Sequence, residues 1–359
     1  MRQLLLILVV TTSVLFARAQ DTIRLIFAGD AMSHIVQVNW ARTADTYDYS
    51  PCFLRVTPWL DKADYAVVNL EAPLGGLPYS GFPRFSAPEQ YADALSQAGF
   101  DLMLLANNHI VDRGKEGLER TIRHLQDNDI AYAGAYTDSE SRSCSYPVYK
   151  TFTDGFDSLR IAFFNCTYGT NGLPVYAPNI VNKIDTTEIR IDLEETEGKA
   201  DLRVMCVHWG EEYDARAAAI QHKRAQWLAD MGFDLIIGSH PHTVQQYDVI
   251  TAADGRRVPV FYSLGNLLSN QRWRGCNGGI MAIADLSFQQ KRIIRTDYLP
   301  LYVYKGMLDG SKQYHLIPTT TVIDTLSRLP IPQSEREVLK VFHNDTKTKL
   351  QNLPDLLTP

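Results

Sequence analysis

Two imidazoles two residues apart close the stretch Asp234-Leu-Ile-Ile-Gly-Ser-His-Pro-His-Thr243. Residues 234–237 read as a buried strand running into Gly238, a residue that permits a tight turn or a close backbone approach. His240 and His242 can then share one short loop at the strand's carboxyl end. In open α/β sheets that end is where ligand sites form, and histidine is the commonest metal-binding side chain. A His-Pro-His pair also fits a polar loop, so the case rests on company. Other strand ends carry Asp30, Glu71, Asn108 with His109, and His208. This mixed set of carboxylates, an amide and imidazoles suits Mn, Fe or Zn better than Ca. It is too large for one tetrahedral ion. It suits two ions about 3.5–4 Å apart sharing a bridging carboxylate, the usual device for hydrolysing phosphate esters.

The elements that must position these residues alternate strand, loop and helix. Ile23 to Ala28 is an apolar, β-branched run ending in Gly29-Asp30. Asp64 to Leu70 is the second strand, followed by a long Pro/Gly-rich loop through Pro88 that suits a lid or binding loop. Asp101 to Leu105 and Ile130 to Ala133 are further strands, with a helix over Gly114 to Asn128 between them. Helices are expected over Pro51 to Leu60, Pro88 to Ala98, Ile184 to Leu193 and Ala215 to Met231. A second β/α series begins at Leu159 and runs through Leu202 to Val207 and Val258 to Tyr262; Thr167 to Lys183 is another long loop. Gly279 to Phe288 and Ile293 to Tyr304 alternate like antiparallel strands, and a helix is expected near Glu335 to His343. Such alternation predicts a parallel α/β sheet.

Composition bounds the partners. The 359 residues are 45% hydrophobic and 21% charged, with a net charge of −6, and no basic block points to nucleic acid. Arg2, an apolar run from Leu4 to Phe16 and Ala17-Arg18-Ala19 read as a secretory signal peptide over residues 1–19. This places the mature chain outside the cytoplasm, secreted or periplasmic, without a stable membrane span. Cys52, Cys144, Cys166, Cys206 and Cys276 lack C-x-x-C spacing. The expectation is buried thiols at 166 and 206, at most one disulfide among the others, and no zinc-thiolate site. His124, His222, His315 and His343 read as surface residues. Lys115, Glu116, Glu119, Arg120 and Arg123 read as a solvated helix face. Trp209, Tyr213 and Arg113 lie near the site's rim, where packing is the simpler reading.

The ordered set Gly29-Asp30, Asn69-Leu70-Glu71, Asn107-Asn108-His109, His208-Trp209-Gly210, Gly238-Ser239-His240-Pro241-His242 and Ser263-Leu264-Gly265-Asn266 resembles the CapA family. These capsule or poly-γ-glutamate synthesis proteins are similar to calcineurin-like metallophosphoesterases. The resemblance spans roughly residues 23 to 270 and implies a four-layer α/β/β/α sandwich. It implies that Asp30, Glu71, Asn108, His208, His240 and His242 hold metal, two divalent ions of Mn, Fe or Zn type, with Glu71 in the bridging place. It also makes His109 the residue that contacts phosphate or protonates the leaving group. The Asp-x-His histidine of the phosphoesterases is replaced by Met32, for which His34 is a candidate substitute. The expected domains are 1–19 as signal peptide, 20–305 as the metallophosphoesterase-like domain and 306–359 as a C-terminal extension. The expected function is a metal-dependent hydrolase of phosphoester or related bonds in cell-surface polymer metabolism. A non-catalytic polymer-binding or assembly component and a γ-glutamyl amide hydrolase or transferase are the alternatives.

Overall fold

The computed structural model describes residues 22–155, 157–319 and 329–353. The expected signal peptide lies outside the described residues. Among the described residues, no helix is long and apolar enough to cross a membrane.

In chain order the first half comprises β1 (Thr22–Ala31), α1 (Ile35–Ala41), α2 (Ser50–Phe53), α3 (Thr57–Leu60), β2 (Tyr65–Leu70), α4 (Gln90–Gln97), β3 (Leu102–Leu104), α5 (Gly114–Asp127), β4 (Ala131–Ala133), β5 (Ala135–Tyr136), α6 (Ser139–Ser145) and β6 (Val148–Thr153). The second comprises β7 (Ser158–Thr167), β8 (Ile180–Val181), α7 (Thr186–Glu194), β9 (Leu202–His208), α8 (Ala219–Met231), β10 (Leu235–Ser239), β11 (Tyr247–Thr251), β12 (Arg257–Phe261), β13 (Asn266–Leu268), β14 (Gly278–Ser287), β15 (Arg292–Leu308), β16 (Ser311–Pro318) and α9 (Gln333–Lys349).

Two sheets stack face to face. One runs β16-β15-β14-β1-β2-β3-β4, with β13 also pairing β1; the other runs β11-β12-β10-β9-β7-β6. Strands β1 to β4 are mutually parallel, as are β7, β9, β10 and β12. Side chains alternate between faces along a strand, and the packing follows that period. Leu25 and Phe27 of β1 join Phe163, Val204, Cys206 and Ile237 in a core between the sheets. Their neighbours Ile26 and Ala28 pack outward with Phe53, Leu95, Leu118 and Ile122 of the helices. On the far side Phe164, Met205 and Ile236 pack against Ala225 and Leu228 of α8. Both faces of each central strand are thereby covered, which is why these segments are apolar throughout. The result is the expected α/β/β/α sandwich.

Several local expectations change. The helix over Pro51 to Leu60 is two short turns, and α8 starts at Ala219 because residues 211–218 form turns. β6 pairs antiparallel with β7, so the second sheet begins at Val148, before the Leu159 start expected for the second series. Short strands β6, β11 and β16 alternate weakly in sequence and draw their order from pairing at sheet edges. The expected boundary at 305/306 falls inside β15, which pairs with β16 from Leu301–Pro318 to Leu308–Ser311. His315 and His343 are buried, at 1% and 4% exposure, because β16 and α9 are packed elements. All five cysteines are free and only Cys144 is exposed, so the possible disulfide is absent.

Candidate metal centre

The site forms where strand ends of the two sheets converge. On β1 a bulge makes this possible. Ala28 pairs with Val68 and Asp30 with Asn69, so Gly29 is skipped. Strict alternation would aim Asp30 at the helix layer with Ala28; the bulge re-aims it between the sheets, a common use of bulges near active sites. Only glycine fits there, since a Cβ at Gly29 would lie 1.9 Å from the Gly265 carbonyl oxygen. Gly238 lies within β10 rather than after it. A Cβ there would lie 2.0 Å from the Tyr262 carbonyl oxygen, so its role is close approach.

The loop after β10 is strained. His240 has φ +99° and His242 φ +56°, conformations that cost non-glycine residues about 1–3 kcal/mol each. Such strain persists where the surroundings over-determine it, and here the imidazoles are what it places. His242 Nδ1 lies 3.0 Å from Asp30 Oδ2, and the His240 backbone N–H donates to the same oxygen at 3.3 Å.

Six expected ligands come together and all are buried. Asp30, Glu71 and His242 form one group able to hold an ion; Glu71, His208 and His240 form a second. Glu71 is common to both. Its Oε1 lies 3.5 Å from His208 Nε2 and 3.9 Å from His242 Nε2, and no hydrogen-bond donor reaches it. Asn108 Oδ1 lies 2.9 Å from His208 Nε2, which brings the amide to the second group. His240 Nδ1 is likewise buried without a partner. Buried polar groups are rarely left unpaired. Carboxylate and imidazole lone pairs converging without a donor fit a cation, and the donor types fit a first-row divalent metal.

Electrostatics agree. Burial, and then the Asp30 charge, push the Glu71 carboxyl well above its ordinary range. Burial would raise Asp30 too, but the hydrogen bond and charge of His242, with the Asn69 amide, outweigh it and hold Asp30 low. Burial drives His208 well below its ordinary value and His240 down to about 3. Both imidazoles are therefore neutral near pH 7, the form that ligates metal.

Around the ligands is a shell that the expected ligand set omitted. Asn69 Nδ2 donates to Asp30 Oδ1 at 2.9 Å and reaches Glu71 Oε2 at 3.3 Å. Asn107 Nδ2 in turn donates to Asn69 Oδ1 and the Leu70 carbonyl. Ser239 Oγ lies 2.9 Å from His208 Nδ1, fixing that ring's orientation. Tyr168 and Asn171, from the loop after β7, also close on the site. The Tyr168 ring lies 4.6 Å from that of His240, and Asn108 Nδ2 donates to Asn171 Oδ1 at 3.3 Å. Nothing in an irregular loop marks these two in advance.

His109 stands in neither ligand group. Its Nδ1 lies 2.7 Å from Asp112 Oδ2, with both side chains buried, and the Phe85 ring packs edge-on at 4.7 Å. Asp112 Oδ2 also accepts the Phe85 backbone N–H at 2.7 Å. The long loop after β2 thus folds back on itself, through a Ser80–Ser86 backbone pair, and holds His109 from one side. A carboxylate three residues after Asn-Asn-His was the available signal for Asp112. His34 also belongs to neither group. Its Nδ1 is engaged by Gln37 and by the Asn270 backbone N–H, which leaves only Nε2 for any substitute role. Trp209 is a packing residue, fully buried with Nε1 donating to the Tyr262 carbonyl, whereas Tyr213 is 44% exposed at the rim.

Fold and site together define a metallophosphoesterase-like α/β/β/α sandwich with a buried ligand cluster at its strand ends. Residues 24–271 match the family model described as "Bacterial capsule synthesis protein PGA_cap", and the chain belongs to that family. It is 28% identical over 303 residues to the "Capsule biosynthesis protein CapA" of Bacillus anthracis, covering 80% of this chain and 69% of that one. It is 27% identical over 266 residues to the "PGA biosynthesis protein CapA" of Bacillus subtilis, covering 71% and 65%. The chain therefore spans about two thirds of these relatives' length. Among solved structures, the Haemophilus influenzae NAD nucleotidase NadN is similar with a TM-score of 0.50 at 12% identity, over 94% of this chain and 64% of that one. That likeness is one of fold.

Proposed function

We propose that this chain is a metal-dependent hydrolase of phosphoester or related bonds, exported and acting in capsule or cell-surface polymer metabolism. The observation that carries the reading is Glu71 Oε1, buried, unpartnered and facing both His208 and His242. One ion would be held by Asp30, Glu71 and His242, the other by Glu71, His208, His240 and Asn108. A bound divalent pair supplies polarised water and neutralises charge developing on the reacting oxygens. The chain's own residues do the rest. Ser239 and Asn69 hold His208, Asp30 and Glu71 in place. Asp112 engages Nδ1 of His109, leaving Nε2 to present a proton to the departing oxygen, and removal of such a general acid costs about 10²–10⁴ in rate. The test is metal content of the purified mature chain, with turnover of a generic phosphodiester before and after chelation. Two ions per chain and chelator-sensitive turnover support the reading. No metal and no turnover, in folded protein resupplied with Mn and Zn, would overturn it.

Met32 favours a second reading, a non-catalytic polymer-binding or assembly component with one ion. It is buried at 2% exposure and stands where the related phosphoesterases have a ligand histidine. The Asp30 group then has three protein donors, Asp30, Glu71 and His242. Hydrolysis of a γ-glutamyl amide is a third possibility, separated from the first by a polymer-cleavage assay with and without chelator.

A further inference from the structure

Beside the ligand cluster lies a cavity of about 700 Å³ between the loop after β10 and the end of α9. Its lining includes Tyr213, Arg216, Thr243, Arg274, Asp345 and Lys349. Two of its lining residues adjoin the proposed metal centre. Thr243 follows His242 directly, and the Tyr213 ring lies 6.0 Å from that of His242. Trp273 meets Tyr213 edge-on at 5.2 Å and is 51% exposed, so an aromatic pair stands at this rim.

The lining is cationic on a chain whose net charge is −6. Three cations face one carboxylate. Asp345 is taken by Arg274 at 2.8 Å. Arg216 makes no ion pair among the described residues. Lys349 spends two of its protons on Thr243 Oγ1 at 3.0 Å and the Val244 carbonyl at 2.6 Å, and none on a carboxylate. A desolvated ammonium hydrogen-bonded only to neutral oxygens is costly; burial lowers the Lys349 pKa, and the nearby Asp345 charge, already paired with Arg274, offsets this only in part. An anion in the cavity would offset that cost. Guanidinium forks suit carboxylate or phosphate oxygens, and the volume lies within the ordinary 300–1,000 Å³ of ligand sites.

We propose that this cavity is an anion-binding subsite, in which Arg216, Arg274 and Lys349 hold a negatively charged arm of an extended substrate whose reacting bond lies at the Glu71 cluster. The proposal rests on the hydrolase reading for the second half of that statement only; the subsite binds anions whether or not metal is present. Carboxylate and phosphate chains share the required chemistry.

The test measures binding of fluorescein-labelled oligo-glutamate and of short-chain polyphosphate to the full mature chain by anisotropy, with and without chelator. Oligo-glutamine serves as the neutral control. The double variant Arg216→Gln/Arg274→Gln changes exposed side chains, and its metal content and thermal midpoint are measured alongside. The expected result is about a tenfold or larger loss of affinity for at least one anionic chain. Metal content stays that of the parent, the chelated chain retains binding, and binding weakens with salt. Tighter binding of one probe identifies the anionic group. Equal binding by the variant, equal binding of oligo-glutamine, or binding lost entirely on chelation would each overturn the subsite. Absence of metal with intact, arginine-dependent binding would instead overturn the hydrolase reading and leave the subsite standing.

Discussion

Replacing Glu71 by glutamine should shift stability in opposite directions with and without metal. Glu71 Oε1 is buried, receives no donor, and faces His208 Nε2 at 3.5 Å and His242 Nε2 at 3.9 Å. A buried acceptor left without a donor costs about 1–3 kcal/mol. Glutamine has nearly the same volume and brings an amide N–H₂ that can face His242 Nε2, the nitrogen left unprotonated when Nδ1 donates to the Asp30 carboxylate. It also removes the repulsion from Asp30 that helps raise the Glu71 carboxyl. In chelator, Glu71→Gln should therefore be more stable than the parent by about 1–3 kcal/mol. With Mn at about a hundredfold excess over Kd, each ion bound only to the native state adds about 2.7 kcal/mol to the parent. The variant lacks the one charged donor common to both ligand groups and should gain little. Urea denaturation at one pH, with chelator and with Mn, reads both differences from four curves. A variant less stable than the parent in chelator, or one keeping the parent's metal increment, would refute this account of Glu71.

Other tests separate the remaining roles. His109→Ala should keep the parent's metal content while turnover falls by about 10²–10⁴; loss of metal instead would place His109 among the ligands. Asp112→Asn should likewise keep metal, lower kcat more than it changes KM, and shift the pH profile, because Asp112 acts through His109 at 2.7 Å. Met32→His should raise metal affinity at the Asp30 group, measured by titration calorimetry; unchanged affinity would mean that position 32 does not reach the ion. In native protein Ellman's reagent should titrate one thiol, Cys144, and all five after denaturation. Burial keeps the others protonated, Cys276 pushed up to about 11 and Cys166 to about 12. Two or more fast-reacting native thiols would contradict that burial.

The sandwich was legible where strands are covered on both faces. Apolar runs such as Leu202 to Val207 need no partner sequence to reveal burial, and the ligands followed because each ends such a run. Edge strands were not legible. β11, whose five residues include none fully buried, gets its order from pairing with β12. The orienting residues were only partly legible. Asp112 is local to His109, but Tyr168 and Asn171 reach the centre because their loop folds back over it. His315 and His343 read as surface because an isolated histidine carries no periodic signal; their burial depends on β16 pairing at the edge of the first sheet and on α9 packing against it.

The two ligand groups are not equivalent, and the difference has a local cause. The Glu71–His208–His240 group gains Asn108, whose Oδ1 already lies 2.9 Å from His208 Nε2, and Ser239 fixes the ring from its other nitrogen. The Asp30 group gains nothing comparable. The chain after β1 turns Met32 into the core, its sulfur 3.8 Å from Ser269 Oγ and its carbonyl accepting from Gln37 and Tyr91. His34 is meanwhile engaged by Gln37 at the start of α1. The segment that would deliver a further donor is thus committed to packing. Binding order should follow. The first equivalent of metal fills the Asn108-containing group, and the second binds more weakly at Asp30 and His242, with Glu71 already neutralised on one side. A hydrolase that needs both ions would then depend on metal supply, whereas a binding protein would need only the first. Stoichiometry under limiting metal therefore distinguishes the two readings more sharply than occupancy at saturation.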